Sequence, residues 1–388
     1  MKFSLKYIII CFVLVVFTSH TKAQENSVTG ANYISTAVPF LTITPDARAG
    51  AMGNNGVATS PDLFSMHWNA AKYSFAKEES GIGVSYTPWL REVANDMSVS
   101  YLSAYYKLDQ LQTIAGSMRY FSLGDIFFQE RLDEIPVKRQ AYEFAFDLAY
   151  SRKLSEALSG AISFRYIYSD IVQGNSAAQS ASVFAADLSL YYKKEYGSSS
   201  APSIWSWGLN ISNIGSKVKY YEDAEREFIP VNLKIGTAYK YQIDTHNSIS
   251  FSVDMNKLLV PSSAGRRIEM GGKSEDIISS PASNNSVMGG VFNSFTDAPG
   301  GFREELHEIT LGFGAEYWYQ NQFAARTGYF YEHESKGNRK YFSAGVGVKL
   351  DVFNVDFAYL IPTATNHPLQ NTLRISLSAN LDFKSLLN

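Results

Sequence analysis

The sequence has few of the residues that usually build active sites, and it lacks the long apolar runs that cross a membrane as helices. It contains one cysteine, Cys11, among 388 residues, and only 18% of its residues are charged. No run of about eighteen apolar residues occurs, which excludes a helical membrane protein. The motif Gly-x-Ser-x-Gly is absent, and the Gly-rich stretch at 50–56 has neither a Gly-Lys-Ser/Thr ending nor a βαβ context, so neither a hydrolase nucleophile elbow nor a phosphate-binding loop is indicated.

The first 23 residues have the pattern of a secretory signal peptide. Two lysines precede an apolar core at 7–17, and Thr21-Lys22-Ala23 provides a small-x-small cleavage site. Cleavage would remove Cys11 and three lysines, which leaves 31 basic residues against 37 acidic ones and a net charge of −6. Nothing in this charge indicates a nucleic-acid partner.

Alternation of apolar and polar residues is the dominant pattern after residue 80. In the last such stretch, apolar residues occupy the odd positions from Ile375 to Phe383 and polar residues the even positions from Arg374 to Asp382. A period of two places them on opposite faces of a β-strand. Fourteen such strands are predicted, near 81–87, 97–107, 111–121, 141–151, 158–168, 182–193, 204–212, 232–241, 248–257, 309–319, 322–331, 341–350, 353–359 and 372–383.

The connections between these strands alternate between short and long. The short ones lie near 107–111, 152–157, 242–247, 320–321 and 350–352, and the long ones span 88–96, 122–140, 169–181, 213–231, 258–308, 332–340 and 361–371. One connection, 194–203, is longer than the short class should be. Short periplasmic turns and long outward loops are typical of bacterial outer-membrane barrels. The sequence therefore predicts an all-β fold, a 14-stranded antiparallel transmembrane β-barrel in the cell outer membrane.

The segment before the first predicted strand has a different composition. Gly50, Gly53 and Gly56 recur every three residues with small residues between them, which allows close packing against other backbone. The segment has too few bulky residues to build a core of its own. We therefore expect a signal peptide at 1–23, an N-terminal hatch or plug at 24–79, and a barrel with long extracellular loops at 80–388.

The hatch segment also carries a specific set of motifs. These are Asp-Ala-Arg-Ala-Gly-Ala-Met-Gly at 46–53, Gly-Val-Ala at 56–58 and Phe-Ser-Met-His-Trp-Asn-Ala-Ala at 64–71. In these motifs the chain resembles FadL-like outer-membrane barrels, and within them the PorV family of the type IX secretion system of Bacteroidota. Further matching segments lie at 84–90, 120–126, 210–215, 316–319 and 337–342. The matching hatch residues singled out are Asp46, Arg48, Gly50, Gly53, Gly56, His67, Trp68 and Asn69.

Two positions depart from the family pattern. Trp68-Asn69-Ala70-Ala71 replaces the Trp-Asn-Pro-Ala of the broader superfamily. Five residues, Lys384–Asn388, follow the terminal aromatic Phe383, which an assembly signal would place last.

The resemblance implies a function in protein secretion. A PorV-like protein takes exported cargo by its C-terminal signal domain and hands it from the secretion translocon to a surface attachment complex containing a PorU-like sortase. The partners expected from it are these proteins and outer-membrane lipid, without nucleic acid, cofactor or metal. A FadL-like transporter of hydrophobic small molecules is the alternative, and it predicts an apolar pocket beside the plug and a side opening between strands.

The polar rows of the predicted strands place charges of both signs in the lumen. The cations are Arg119, Arg165, Lys193, Lys234, Lys240, Arg326, Lys349 and Arg374, and the acids are Glu143, Asp147, Asp187, Asp254, Glu316, Asp356 and Asp382. Because neither sign dominates, we expect these groups to form ion pairs and hydrogen bonds with the plug. An ion-selective pore, the alternative, would usually show an excess of one sign.

Histidines that could serve as catalytic bases are widely separated in the sequence. The one cluster of interest is His307 beside Glu304, Glu305 and Glu308, which a lipid A deacylase could use at the membrane rim. A solvated loop end explains the same residues, and no ligand spacing indicates a metal site. We expect a protein that is not an enzyme.

The outward loops provide the candidate binding residues. The connection 258–308 is far longer than ordinary loops; we expect its Gly/Ser-rich part, Arg266–Asn285, to be mobile. Its apolar part and a second cluster in the 122–140 loop are candidate anchors for cargo, because exposed apolar groups usually mark a binding site. The candidate residues are Ile126, Phe127, Phe128, Val287, Met288, Val291, Phe292 and Phe295. Alternatively, the two clusters pack on each other as a lid.

Overall fold

A computed structural model describes residues 33–381, apart from 93, 95, 129–134, 172–178, 198–201, 263–264, 271–272, 279–285 and 365–366. The expected signal peptide, residues 24–32 of the expected hatch and residues 382–388 lie outside the described residues.

Fourteen antiparallel strands close into a barrel, which confirms the predicted fold. Numbered in chain order, they are β1 Ser80–Pro88, β2 Ser98–Lys107, β3 Gln112–Phe128, β4 Val137–Lys153, β5 Leu158–Asp170, β6 Ala181–Tyr196, β7 Ser203–Gly215, β8 Asn232–Gln242, β9 Ser248–Leu258, β12 Thr310–Tyr319, β13 Phe323–Tyr331, β14 Lys340–Leu350, β15 Phe353–Pro362 and β16 Leu373–Leu381, with the hairpin β10 Gly265–Met270 and β11 Lys273–Ile278 standing apart from the barrel. The barrel closes where β1 pairs with β16, for example Ile82 opposite Ala379.

The connections sort by end of the barrel, as predicted. Turns at 108–111, 154–157, 197–202, 243–247, 320–322 and 351–352 share one end, which we take as periplasmic. The connection expected to be too long, 194–203, is shortened because β6 continues to Tyr196. The loops at the outward end are longer, and the longest runs from 259 to 309.

One expectation about the outward loops was wrong. Ile126, Phe127 and Phe128 do not lie in a loop, because β3 continues to Phe128 and pairs with β4 from Val137 onward after a register shift between Ser122 and Asp125. Part of the Gly/Ser-rich segment forms the β10–β11 hairpin.

Side chains on the strands alternate between lipid-facing and lumenal positions. On β5, for example, Phe164 is 68% exposed, whereas its neighbour Arg165 is 6% exposed. Aromatic rings cluster on the outer wall near the outward ends of β3 to β6, where Tyr142 lies 5.9 Å from both Tyr120 and Tyr168 between ring centroids. This arrangement is typical of the aromatic girdle at a membrane interface.

The N-terminal residues 33–79, here called the plug, run through the barrel interior from the outward end to the periplasmic end. The plug contains the short helical segments Pro39–Thr42, Ala47–Ala51, Ser65–Trp68 and Ala70–Phe75. Phe40 packs against Phe121 near the outward end, whereas Ser74 contacts Ser151 near the periplasmic end at 2.6 Å between hydroxyl oxygens. None of the helices in the described part of the chain is long and apolar enough to cross a membrane.

Candidate functional site

The plug approaches the barrel wall most closely at glycines. Gly53 has a left-handed backbone with φ +67°, and a Cβ added to it would lie 2.6 Å from the Tyr329 carbonyl oxygen and 2.7 Å from that of Phe313. Gly50 similarly faces the Arg374 side chain and Gly56 the Trp68 ring. The lumenal wall contributes matching glycines, whose added Cβ atoms would meet plug atoms at 2.1–2.6 Å: Gly208, Gly312, Gly314, Gly328 and Gly345. At these wall glycines the plug therefore lies directly against the backbone of the barrel wall.

A buried ion network fixes the plug to the wall. Arg48 on the plug donates through Nη2 to Glu316 Oε1 at 2.8 Å and through Nη1 to Asp62 Oδ2 at 2.7 Å. Arg326 donates to the same Glu316 at 2.7 Å and to Asp356 at 2.6 Å. A buried charge without a partner costs free energy. These charged side chains therefore have all of their partners only while the plug occupies the lumen.

Two carboxylates, one on the plug and one on the wall, accept bonds from plug N–H groups. Asp46 caps the Ala47–Ala51 helix by accepting from the Ala49 amide at 2.8 Å, and its second oxygen accepts from Trp68 Nε1 at 2.7 Å. Burial and the neighbouring Asp62 raise the pKa of Asp46 to about 6. On the wall, Asp254 accepts from the amides of Gly56 and Val57 at 2.7 and 2.9 Å.

The remaining hatch residues of the motif also make polar contacts. Asn69 Nδ2 donates to the carbonyls of Val57 and Leu190 at 3.1 and 2.8 Å, which ties the plug to itself and to β6. His67 Nδ1 lies 2.5 Å from Arg119 Nη2. Because a guanidinium can only donate, Nδ1 accepts and the neutral ring carries its proton on Nε2. Burial and the nearby cations Lys234, Arg119 and Arg165 hold the pKa of His67 well below its usual value.

The charges expected in the lumen are mostly buried there and mostly paired. Arg165, for example, contacts both Asp147 and Asp187, the latter at 3.0 Å. Lys193, Lys240 and Lys349 instead line the periplasmic mouth, and Asp382 lies outside the described residues. Among the described residues, no group of three or more His, Cys, Asp or Glu side chains could hold a metal ion.

Two short helices in the 259–309 connection present apolar side chains to the outside. The helix Val287–Asn293 packs Gly290 against the Phe228 ring and buries Ser294 just beyond its end, while Met288 and Phe292 point away and are 52% and 68% exposed. Phe295 is 45% exposed, and in the helix Phe302–His307 Phe302 and Leu306 are 78% and 50% exposed. We call these five side chains the outward patch: Met288, Phe292, Phe295, Phe302 and Leu306. Of the other residues expected there, Val287 and Val291 are half-buried.

Buried ion pairs attach the helix Phe302–His307 to the barrel. Lys257 at the end of β9 contacts Glu305 at 2.9 Å and Glu308 at 2.5 Å, and Lys336 in the β13–β14 loop contacts Glu304 at 2.7 Å and Glu308 at 3.0 Å. All three glutamates of the cluster considered for a deacylase are therefore engaged by lysines. His307 itself stacks on His333, with 3.5 Å between ring centroids. This arrangement fastens a helix and resembles no catalytic pair.

The second predicted cluster lies on the projecting β3–β4 hairpin. Ile126 is half-buried and Phe127 is 66% exposed. Because Phe127 and Phe292 both remain exposed, the two clusters do not bury each other as the lid alternative requires. The structure also exposes Phe302 and Leu306 on the helix Phe302–His307, and the sequence reasoning missed them. Their four-residue spacing, Phe-x-x-x-Leu, was a signal for one face of a helix.

The plug separates two cavities. A cavity of about 640 Å³ opens at the periplasmic mouth, and one of about 240 Å³ lies between the plug and the outward loops. The second is lined largely by polar and charged side chains, among them Lys234, Glu308, Glu332 and Arg339. Every barrel strand pairs with two neighbours in a closed ring, and this fold is consistent with the alternative of a hydrophobic-molecule transporter.

Comparison with known proteins gives one family and one fold. The sequence model of a family described as "Type IX secretion system protein PorV" matches residues 24–265. No curated protein matches the sequence. Similar solved structures include the Pseudomonas putida toluene transporter TodX, which is 11% identical over 91% of this chain and 100% of that chain with a TM-score of 0.51. A Pseudomonas aeruginosa FadL homologue is 10% identical over 91% of this chain and 100% of that chain, with a TM-score of 0.44. At this identity the likeness to TodX shows the fold alone.

Proposed function

The chain belongs to the PorV family of type IX secretion system proteins, and from this premise we propose that it binds the C-terminal signal domain of exported cargo and passes it from the translocon to the surface attachment complex. Family membership and the closed barrel make it an outer-membrane component of that system, a secretion protein rather than an enzyme. The binding step and its partners are the proposal.

The observation that supports cargo binding is the outward patch. Its five apolar side chains point away from the barrel on or beside two short helices: buried ion pairs hold the helix Phe302–His307, and the helix Val287–Asn293 packs Gly290 against the Phe228 ring. Exposed apolar groups of this size cost free energy in water, roughly 1.5–3 kcal/mol for each one that a partner would bury completely. A firmly attached apolar surface ringed by polar loop residues is the usual arrangement of a protein-binding hot spot.

The mechanism needs no transport through the barrel. The plug fills the lumen and is bonded to the wall, so cargo would meet this protein only from outside. A folded β-domain would bury the aromatic rings of the outward patch, and Phe127 on the β3–β4 hairpin could contact a second part of the same domain. Release would require only that the attachment complex bind the cargo domain more tightly than the outward patch does, because no cargo segment passes through the barrel.

Binding of an isolated cargo signal domain to the purified barrel tests the proposal. In biolayer interferometry, the double variant Phe292→Ala, Phe302→Ala should weaken capture at least about 30-fold, because two central aromatic anchors are typically worth 2 kcal/mol or more. Tyr221→Ala is the matched control, since Tyr221 is an exposed aromatic, 38% accessible, on the neighbouring outward loop and outside the patch. Unchanged capture by the double variant, with heat-modifiable migration showing a folded barrel, would remove the patch from the mechanism.

A further inference from the structure

The cavity between the plug and the outward loops contains an unusual cation. We call this cavity the outward chamber; it is lined by His67 and Trp68 of the plug, by Lys234 of β8, and by Phe330, Glu332 and Arg339. Lys234 is only 6% exposed, and its ammonium lies 4.7 Å from the centroid of the Trp68 ring. Among the described residues, no carboxylate lies within ion-pairing distance of Lys234 and no acceptor within hydrogen-bonding distance. A buried ammonium with only a ring face as partner is an incomplete site.

The neighbouring acids do not complete it, because each has other partners. Asp254 accepts from the Gly56 and Val57 amides through Oδ2, and its Oδ1 forms no hydrogen bond with Lys234; Asp187 is paired with Arg165 at 3.0 Å. At the outer rim, Glu332 is bonded to Arg339 at 2.6 Å and Glu308 to Lys336 at 3.0 Å. Lys234 therefore lines the chamber without an ion pair, whereas Asp187, Glu308 and Glu332 are paired with other cations.

His67, which lines the same chamber, has a second donor. Arg119 occupies His67 Nδ1, which leaves the Nε2–H of the neutral ring as a donor. An ammonium and an N–H group on two residues that line one chamber are suited to the two oxygens of a carboxylate. The chamber volume of about 240 Å³ equals roughly eight water molecules, which admits a compact ligand and is too small for a long acyl chain.

We propose that the outward chamber is a binding site for a compact carboxylate, held by Lys234 and His67 with the Trp68 ring beneath the ammonium. The carboxylate belongs either to a small free acid or to an acidic side chain of a short peptide, since both present the same group. This site is separate from the outward patch, so its failure would leave the cargo-binding proposal intact, and the converse also holds.

Calorimetric titration of the full chain in detergent micelles tests the site. Succinate is the free-acid probe, and acetyl-Gly-Glu-Gly-amide is the peptide probe with a single side-chain carboxylate. We expect saturable binding of at least one probe, and no binding of succinamide, the neutral analogue of succinate. Binding of the peptide alone would support the site and assign its source as a polypeptide.

Matched lysine variants test the residue. Lys234→Met should weaken binding at least about tenfold, because a charge-assisted contact is lost, whereas Lys234→Arg should retain it. Lys240→Met is the control, since Lys240 is on the same strand and faces the opposite, periplasmic mouth. Three results would overturn the proposal: no saturable binding of either probe by the wild-type chain, equal binding of succinate and succinamide, or displacement of succinate by palmitate. The succinamide comparison uses only the wild-type chain, so it decides the question even where Lys234→Met fails to fold.

Discussion

Single residues inside the plug-filled lumen act in two ways. Some bond to buried polar or charged groups, and others leave out a side chain where two backbones meet. Glu316 is 3% exposed and accepts from both Arg48 and Arg326, so one wall carboxylate holds a plug cation and a wall cation together. The glycines act by the opposite means, because they leave out a side chain where plug and wall backbones meet. Asp46, Arg48, Trp68 and Asn69, which the sequence motif singled out, each make at least one polar contact within the plug or to the wall.

Gly53 allows a residue-scale prediction with an internal control. Gly53 and Gly301 share φ +67°, but an added Cβ meets the Tyr329 carbonyl at 2.6 Å in the first case and nothing within 4 Å in the second. Gly301→Ala should therefore cost about 1–3 kcal/mol for the positive-φ backbone alone. Gly53→Ala should cost roughly 2 kcal/mol more, because the plug must move away from the wall. Denaturant unfolding in detergent measures both; equal losses would contradict the close approach.

At the scale of elements, the outward structures differ most from what the sequence indicated. Strands β3 and β4 continue past the residues that alternate, because beyond the hydrocarbon layer neither face meets lipid and the period-two pattern is no longer required. The hydrogen-bonded pairing of β3 and β4 continues there although the alternation of apolar and polar residues has ended. In the 259–309 connection, the helix Val287–Asn293 contains two glycines and one cap, the Ser286 hydroxyl accepting from the Gly289 amide at 3.1 Å. Its helicity depends on packing against Phe228 more than on intrinsic propensity.

The attachment of the helix Phe302–His307 gives the element-scale prediction. The Lys336 side chain is 4% exposed and bridges Glu304 and Glu308, so Lys336→Met leaves a fully buried glutamate with one cation fewer. Removing one partner of a buried pair costs about 3–5 kcal/mol, and we expect amide hydrogen exchange at 302–307 to speed up at least about tenfold. Lys340→Met is the control, because Lys340 lies over the Tyr331 ring at 5.4 Å. Unchanged exchange would show that Lys257 alone holds the helix.

At the scale of the whole molecule, the barrel and its plug behave as one packed body. The plug residues Ala47, Ala51, Val57 and Trp68 are at most 3% exposed, although they face a lumen that in a porin would hold water. Lumenal charges of both signs bond the plug to the wall, as Arg48 and Glu316 do, and bond wall strands to each other, as Arg165 and Asp187 do. The family's role in secretion therefore does not require a conducting pore in this chain.

Planar-bilayer recordings test this directly. We expect the reconstituted wild-type chain to give no stepwise ion conductance. Arg48→Ala removes the plug's bonds to Glu316 and Asp62, and we expect it to produce intermittent conductance as the plug loosens. Lys349→Ala, which removes a 3.9 Å contact to Glu78 at the exposed periplasmic rim, should stay silent. Steady conductance of the wild-type chain on the scale of a porin would show that the plug does not close the lumen.

The sequence by itself determined the number of strands, the sorting of their connections by end, and the mixed charge of the lumen. These features are local, because lipid on one face imposes a period of two on each strand regardless of its neighbours. Only the tertiary structure decided which polar groups pair, since Arg48 and Glu316 are 268 residues apart and meet only once the barrel has closed around the plug. It alone also decided that Met288 and Phe292 face outward, since two helices of six and seven residues can bury either side until the barrel fixes one.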